Sequence, residues 1–281
     1  MDLGECINRT MLQQHELDEF PLLFAVERDY MAAEGYSTCS LRSSLRVLVL
    51  AALFRFWNTE DFDRFVVCLA MSYFDRYLSR YRIPRMYPGG LLENLHLLAT
   101  SCLSLAWKMR TLKFCLPNFL AKQGLNYTVE QIQRTEMIIL KRLKWRMRSL
   151  TSFCFFNYFL SLSNLKSGDR KTLKQHAVHL LVRRLYVIKF TEFKPSIIAA
   201  SALLAVAAEK LPETSSPLKR TILGCPHVNM DQLSSCLNEI MKVMQNPRLF
   251  EEAPRPDHTQ AGALAHGGSN LRLLAPGPMS L

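Results

Sequence analysis

No two cysteines in this chain have CxxC spacing; the eight stand singly at 6, 39, 68, 102, 115, 154, 225 and 236. That scatter excludes a zinc ribbon or a disulfide framework. Cysteines set among Leu and Phe pack as small hydrophobes, and such usage fits a reducing compartment, cytosol or nucleus. Glycine is scarce, at 11 of 281 residues, and Gly89-Gly90 reads as a break between helices rather than a phosphate loop. GxSxG and HExxH are both missing. Acids are sparse and scattered, so no acid–base pair stands out. His176 and His179 fall three apart on one helix face, but no carboxylate or cysteine keeps register with them. A closed zinc site needs four ligands, so no metal and no cofactor is expected. The opening MDLGECINR has acids where an export signal needs bases. No alternating strand pattern of useful length occurs. The expectation is an all-α protein that is not an enzyme.

What is present is apolar and helical. Hydrophobic residues make up 49% of the chain, and the mean hydropathy of +0.01 argues against both disorder and membrane residence. Residues 91–110, LLENLHLLATSCLSLAWKMR, form the organising stretch. Leu91, Leu95, Leu98, Cys102 and Met109 recur at helical spacing, while Leu92, Leu97, Leu103 and Leu105 fill the other sides. A helix apolar nearly all round must be surrounded. Its charged groups, Glu93 and Lys108, stand fifteen positions apart, too close for a bilayer span of about 20 apolar residues. Glu93 at the start and Lys108 with Arg110 at the end also suit the helix macrodipole. The runs 47–54 and 197–208 are shorter still, so no membrane association is expected.

Taken in order, the chain divides into four parts. Residues 1–40 are an N-terminal segment with one amphipathic helix over 19–34, its inner face being Leu22, Leu23, Val26 and Tyr30, with Glu27, Arg28 and Asp29 opposite. Gly35 ends it. Residues 41–148 hold five helices near 41–57, 60–80, 91–110, 117–123 and 129–145. Thr59 caps the second, and Thr128 caps the fifth. The inner face of the fifth is Ile132, Met137, Leu140 and Leu143. Residues 149–250 repeat the plan, with segments near 149–162, 169–190, 195–211, 217–223 and 230–244. The middle one opens on Pro195, a first-turn residue. Residues 251–281, rich in Pro, Gly, Ala and Ser, cannot bury a face and are expected to be disordered.

Net charge is +11, and between Glu136 and Asp169 there is no acid at all, against Lys141, Arg142, Lys144, Arg146, Arg148 and Lys166. Such a stretch is either a solvated helix end and linker, or a surface for an acidic partner, an import signal or nucleic acid.

One set of residues is more specific. LRVLVLAAL at 45–53, LAMSYFDRYL at 69–78, Leu97, AWKMR at 106–110 and TEMIILKRLKW at 135–145 resemble the cyclin box. Arg46, Asp75, Leu97, Lys108 and Glu136 fill five of its characteristic positions in register. LKWRMRSLTSFCFFNYFLS at 143–161 and FKPSIIAASALLAVAAE at 193–209 are similar to the plant D-type cyclins, in particular their short, divergent sixth subgroup.

The resemblance implies two tandem five-helix cyclin folds and a regulatory subunit that binds and activates a cyclin-dependent kinase at the G1/S transition. Arg46 and Asp75 would form a structural ion pair, and Leu97 would be core. Lys108 and Glu136 would meet the kinase; the bland alternative is that they pair with each other or with solvent. Departures matter as well. The apolar patch that docks Arg-x-Leu substrates corresponds to Leu45, Val49 and Ala52, which lack the aromatic anchor such patches use. Thr111 stands where a Glu usually follows the kinase-contacting Lys, and Ser72 replaces the box asparagine. LGECI at 3–7 is not the Leu-x-Cys-x-Glu peptide that tethers retinoblastoma-type pocket proteins, so such a protein would be a substrate without that tether. The implied location is the nucleus, and also the cytoplasm. Two rivals stay open: a cyclin-fold transcription factor associated with nucleic acid, and a cyclin-like protein that binds a kinase without activating it.

Overall fold

In the computed structural model, residues 17–54, 63–86, 88–111, 113–148 and 150–246 are described. The expected cap Thr59, the aromatic Phe62, the LGECI segment and the tail fall outside them. The described residues are helical with no strand, and they belong to two compact units.

The first unit comprises residues 32–147. Its helices are α2 (Ser40–Phe54), α3 (Arg64–Leu78), α4 (Leu91–Arg110), α5 (Leu116–Lys122) and α6 (Val129–Arg142). The stretch expected to organise the chain is α4, with the same bounds, and α2, α3 and α6 pack around it. Twelve of its residues are buried, from Asn94 to Ala106, which is why its sequence is apolar on every side. Asn94 is the polar exception, and its amide group ties the preceding break to the helix by accepting from Met86 N–H and donating to the Gly90 carbonyl. Leu97 packs with Leu116, Leu120 and Ile132, so α4, α5 and α6 share one core.

Three sequence expectations for this unit need correcting. The described start of α3 is capped by Asp63, whose carboxylate accepts the Phe65 N–H at 2.9 Å. Helix α6 ends at Arg142 rather than Trp145, because Lys144 and Trp145 take left-handed backbone conformations, at φ 54° and 60°. Each costs about 1–2 kcal/mol for a residue with a Cβ. Two buried side chains of α3 hold the turn: Arg76 donates to the Arg146 carbonyl at 2.9 Å and the Tyr73 hydroxyl to that of Met147 at 2.5 Å. The inner face of α6 also differs. Met137 is 41% exposed, and Thr135, Glu136 and Ile139 turn inward with Ile132.

The second unit joins residues 148–251 with the N-terminal residues up to Met31. It contains α7 (Ser152–Leu162), α8 (Ser167–Arg183), α9 (Pro195–Lys210), α10 (Pro212–Leu223) and α11 (Met230–Gln245), with α1 (Phe20–Val26) added from the N-terminal end. Helix α9 is the all-apolar centre, contacted by α7, α8, α10 and α11. Helix α10 begins at Pro212 and carries Pro217 inside it. The proline is tolerated because the carbonyl it leaves unbonded belongs to the exposed first-turn residue Glu213.

The N-terminal helix uses a different face from the expected one. Leu22 and Val26 are 70% and 42% exposed, while Phe20 and Phe24 are buried against Phe155, Tyr158 and Phe159 of α7. Helix α1 stops at Val26 and passes into a 3-10 turn, Glu27–Tyr30, which swings Glu27 inward. Glu27 is fully buried, and its carboxylate accepts the Ser196 N–H at 3.0 Å and the Ser196 hydroxyl at 2.9 Å, with Lys194 Nζ at 3.4 Å. It therefore caps α9 from 169 residues away, where Lys194, the local cap residue, supplies no side-chain bond. This satisfies orphan donors at a buried helix start.

Burial raises the Glu27 pKa above the usual 4.5, partly offset by Ser196 and Lys194. The folded unit thus holds the proton more tightly than the unfolded chain. Stability from this group falls as pH rises from the unfolded value through the folded one, and is level above it. Glu27→Ala is expected to cost about 1–3 kcal/mol by leaving the Ser196 donors unpaired. Glu27→Gln should flatten that part of the pH profile. Denaturant unfolding followed by far-UV circular dichroism checks both.

Candidate functional site

The five box residues lie in the first unit, and the structure brings them together as two ion pairs and one core contact. Arg46, on α2, is 2% exposed and Asp75, on α3, is 7% exposed. The Arg46 Nε donates to both Asp75 oxygens, at 2.9 and 3.2 Å. A third partner escaped the sequence reading: the Tyr36 hydroxyl donates to Asp75 Oδ1 at 2.9 Å. Burial, and next the Asp75 charge, hold the Tyr36 phenol well above its ordinary pKa, so it stays a donor. Nothing local marks Tyr36; it lies in the linker before α2 and is distinguished only by its burial.

Lys108 sits in the last turn of α4 and Glu136 in the middle of α6. The Lys108 Nζ donates to Glu136 Oε1 at 2.7 Å and Oε2 at 2.6 Å. The Glu136 side chain is 7% exposed and that of Lys108 39%. The acid is thus a recessed, fixed group and the cation its accessible cover. Next to them in sequence, Met109 and Met137 are 44% and 41% exposed, and Trp145 beyond α6 is 61% exposed. Arg110 is held by Asp63, Nε to Oδ2 at 2.8 Å, which fixes the end of α4. Thr111 is the cap residue of that helix, and its N–H donates to the Trp107 carbonyl. Two rigid helices therefore present a charged pair beside large apolar side chains, the composition of a protein-binding surface rather than of a catalytic one.

The other predicted positions behave differently. Leu45 and Val49 are 3% and 0% exposed, and Ala52 is half-buried. All three serve the unit's core or its margin, and they do not form an open apolar patch. His176 Nδ1 lies 2.9 Å from the Thr172 carbonyl oxygen of its own helix. Among the described residues no group of His, Cys, Asp and Glu could hold a metal ion, and no helix is long and apolar enough to cross a membrane. Of the described cysteines, Cys68, Cys102, Cys154, Cys225 and Cys236 are buried. Burial pushes the Cys102 thiol far up, with the Asp75 and Glu136 charges adding to it, so it is unreactive packing.

Known proteins agree with this geometry. Residues 11–148 match the model of the cyclin N-terminal domain, and residues 150–259 that of the cyclin C-terminal domain. Cyclin-D6-1 of Arabidopsis thaliana is 34% identical over 229 residues, covering 78% of this chain and 74% of its own length. Cyclin-D6-1 of rice (Oryza sativa subsp. japonica) is 35% identical over 181 residues, 63% of this chain and 55% of the relative. The chain thus spans about three quarters of the first and about half of the second. A viral cyclin from herpesvirus saimiri shares the fold, with a TM-score of 0.54 at 17% identity, over 72% of this chain and 86% of that one. Two cyclin domains in tandem, with the Arg46–Asp75 and Lys108–Glu136 pairs in place, make this chain a member of the cyclin family and, within it, of the plant D-type cyclins: a regulatory protein and not an enzyme.

Proposed function

We propose that this cyclin binds a cyclin-dependent serine/threonine kinase and switches it on at the G1/S transition, in the nucleus and also the cytoplasm. One observation carries the reading: Lys108 and Glu136, from two different helices, meet at 2.6 Å beside the exposed side chains Met109 and Met137. A partner helix laid across this surface would bury the methionines and offer backbone groups to the charged pair. Charge-assisted hydrogen bonds of that kind are stronger than neutral ones. The kinase's mobile C-helix is the partner that fits the role. Held inward, it lets its glutamate pair with the lysine that positions ATP, as phosphoryl transfer requires. The cyclin favours that arrangement because it binds it better than the alternatives.

The pair's contact with each other does not conflict with this reading. A half-exposed lysine in a surface ion pair gives up little by exchanging partners, since exposed pairs contribute about 0–1 kcal/mol. The substrate is a retinoblastoma-type pocket protein, reached without a Leu-x-Cys-x-Glu tether. The test is a reconstituted kinase assay on a pocket-protein fragment, with and without this chain. Phosphorylation that depends on the chain supports the proposal. A stable complex without activity would make the chain a binder that does not activate. Tight, salt-sensitive binding to duplex DNA without kinase binding would favour the transcription-factor reading.

A further inference from the structure

The function just proposed leaves unused the strongest charge asymmetry in the first unit. Helix α3 ends at Leu78 and is followed by Arg80, Tyr81 and Arg82; helix α6 ends in Lys141 and Arg142, followed by Lys144. All five cations are exposed. The two helix ends are joined through Tyr81: the Arg142 guanidinium lies 4.9 Å from the centre of its ring, and the Tyr81 hydroxyl donates to the Arg142 carbonyl at 3.3 Å. Arg80 is tethered as well, its Nη1 donating to the Arg76 carbonyl and the Ser79 hydroxyl, both at 3.3 Å.

A cation or two at a helix C-terminus offsets the macrodipole, but five around one ring exceed that need. The acids of these helices do not neutralise them. Asp63 holds Arg110, Asp75 is enclosed by Arg46 and Tyr36, and Glu136 holds Lys108. The remaining one, Glu130, lies in the first turn of α6, three turns from Lys141. Fixed guanidinium groups suit bidentate recognition of oxyanions, because less freedom is lost on binding.

We propose that this surface docks an acidic segment, a run of Asp and Glu, of the protein substrate that the kinase complex phosphorylates. The inference rests on the kinase-activating reading for the role of the segment, but not for its binding. Two observations favour a peptide over nucleic acid. The cations are confined to two helix ends around one tyrosine, a footprint for a short segment rather than for a duplex backbone. Lys141 lies only five residues along α6 from Glu136, about 7–8 Å of helix, so an anchored substrate would be held beside the kinase. The position usually associated with apolar docking is closed here, Leu45 and Val49 being buried. Charge takes over that task.

The test has two arms. Fluorescence anisotropy of a labelled Glu/Asp-rich peptide, titrated with the full chain, should show saturable binding that weakens as salt is raised. Lys141→Glu with Lys144→Glu should weaken it about tenfold, and the milder Lys141→Gln with Lys144→Gln less, the fold being checked by circular dichroism. In the kinase assay, the same variants should raise KM for a substrate carrying the acidic segment, leave kcat unchanged, and leave a substrate without the segment unaffected. No binding of the peptide, or a single-stranded oligonucleotide of equal charge binding more tightly, overturns the proposal. So does an active complex whose KM ignores the variants, and in that case the kinase reading survives. If no kinase is activated at all, the kinase reading fails while the titration still decides the docking surface.

Discussion

Replacing Asp75 by alanine is expected to destabilise the first unit by about 3–5 kcal/mol, enough to unfold a large fraction of it. The cause is what stays behind. Arg46 is 2% exposed and Tyr36 1% exposed, so neither the guanidinium nor the hydroxyl can reach water in compensation. An intact buried pair adds little over apolar packing, whereas a broken one leaves an uncompensated charge. Arg46→Met with Asp75→Leu should therefore recover much of what Asp75→Ala loses, and Tyr36→Phe alone should cost about 1–2 kcal/mol, less than either charge loss. All three tryptophans, Trp57, Trp107 and Trp145, belong to residues 32–147. Denaturant unfolding followed by tryptophan fluorescence thus reads this unit directly. Near-equal midpoints for wild type and Asp75→Ala would refute the structural role given to the pair.

Reversing the charge at the surface pair should act on binding and not on folding. Lys108→Glu sets a second carboxylate against Glu136, whose side chain is 7% exposed and cannot turn away into solvent. Kinase association is expected to fall about 100-fold or more, in the range of 2–5 kcal/mol seen when one partner of a hydrogen-bonded interfacial charge pair is lost. The melting curve should shift little, because the Lys108 side chain is 39% exposed and contributes little to the unfolding balance. A variant that melts like the wild type but no longer pulls down the kinase is the predicted pattern. One that keeps both would mean that the pair merely tidies the surface.

The parts of the fold that local chemistry specifies were legible in the sequence. Helix α4 could be bounded at both ends because Pro88-Gly89-Gly90 breaks the chain before it and charges mark its turns. Thr128 announced the start of α6, and the capping box with Gln131 is formed. Other features depend on partners far along the chain. Glu27 reads as solvent-facing beside Arg28 and Asp29, and only the change to a 3-10 turn and the distant Ser196 make it a cap. The end of α6 carries no glycine to mark it; Tyr73 and Arg76, some 70 positions earlier, hold its strained turn. Met137 was expected inside because it is apolar, but the inward place goes to Glu136, which has Lys108 to meet. The Arg46–Asp75 and Lys108–Glu136 positions were visible through family resemblance alone. Composition and periodicity do not distinguish them from other charged residues on helices.

Calorimetric titration of the purified chain with a division-cycle kinase, wild type against Lys108→Ala with Glu136→Ala, tests the central claim most directly. The account predicts a one-to-one complex for the wild type and loss of measurable binding for the double variant, with both proteins folded by circular dichroism. A double variant that binds as tightly as the wild type would contradict it, as would a wild-type chain that binds none of these kinases.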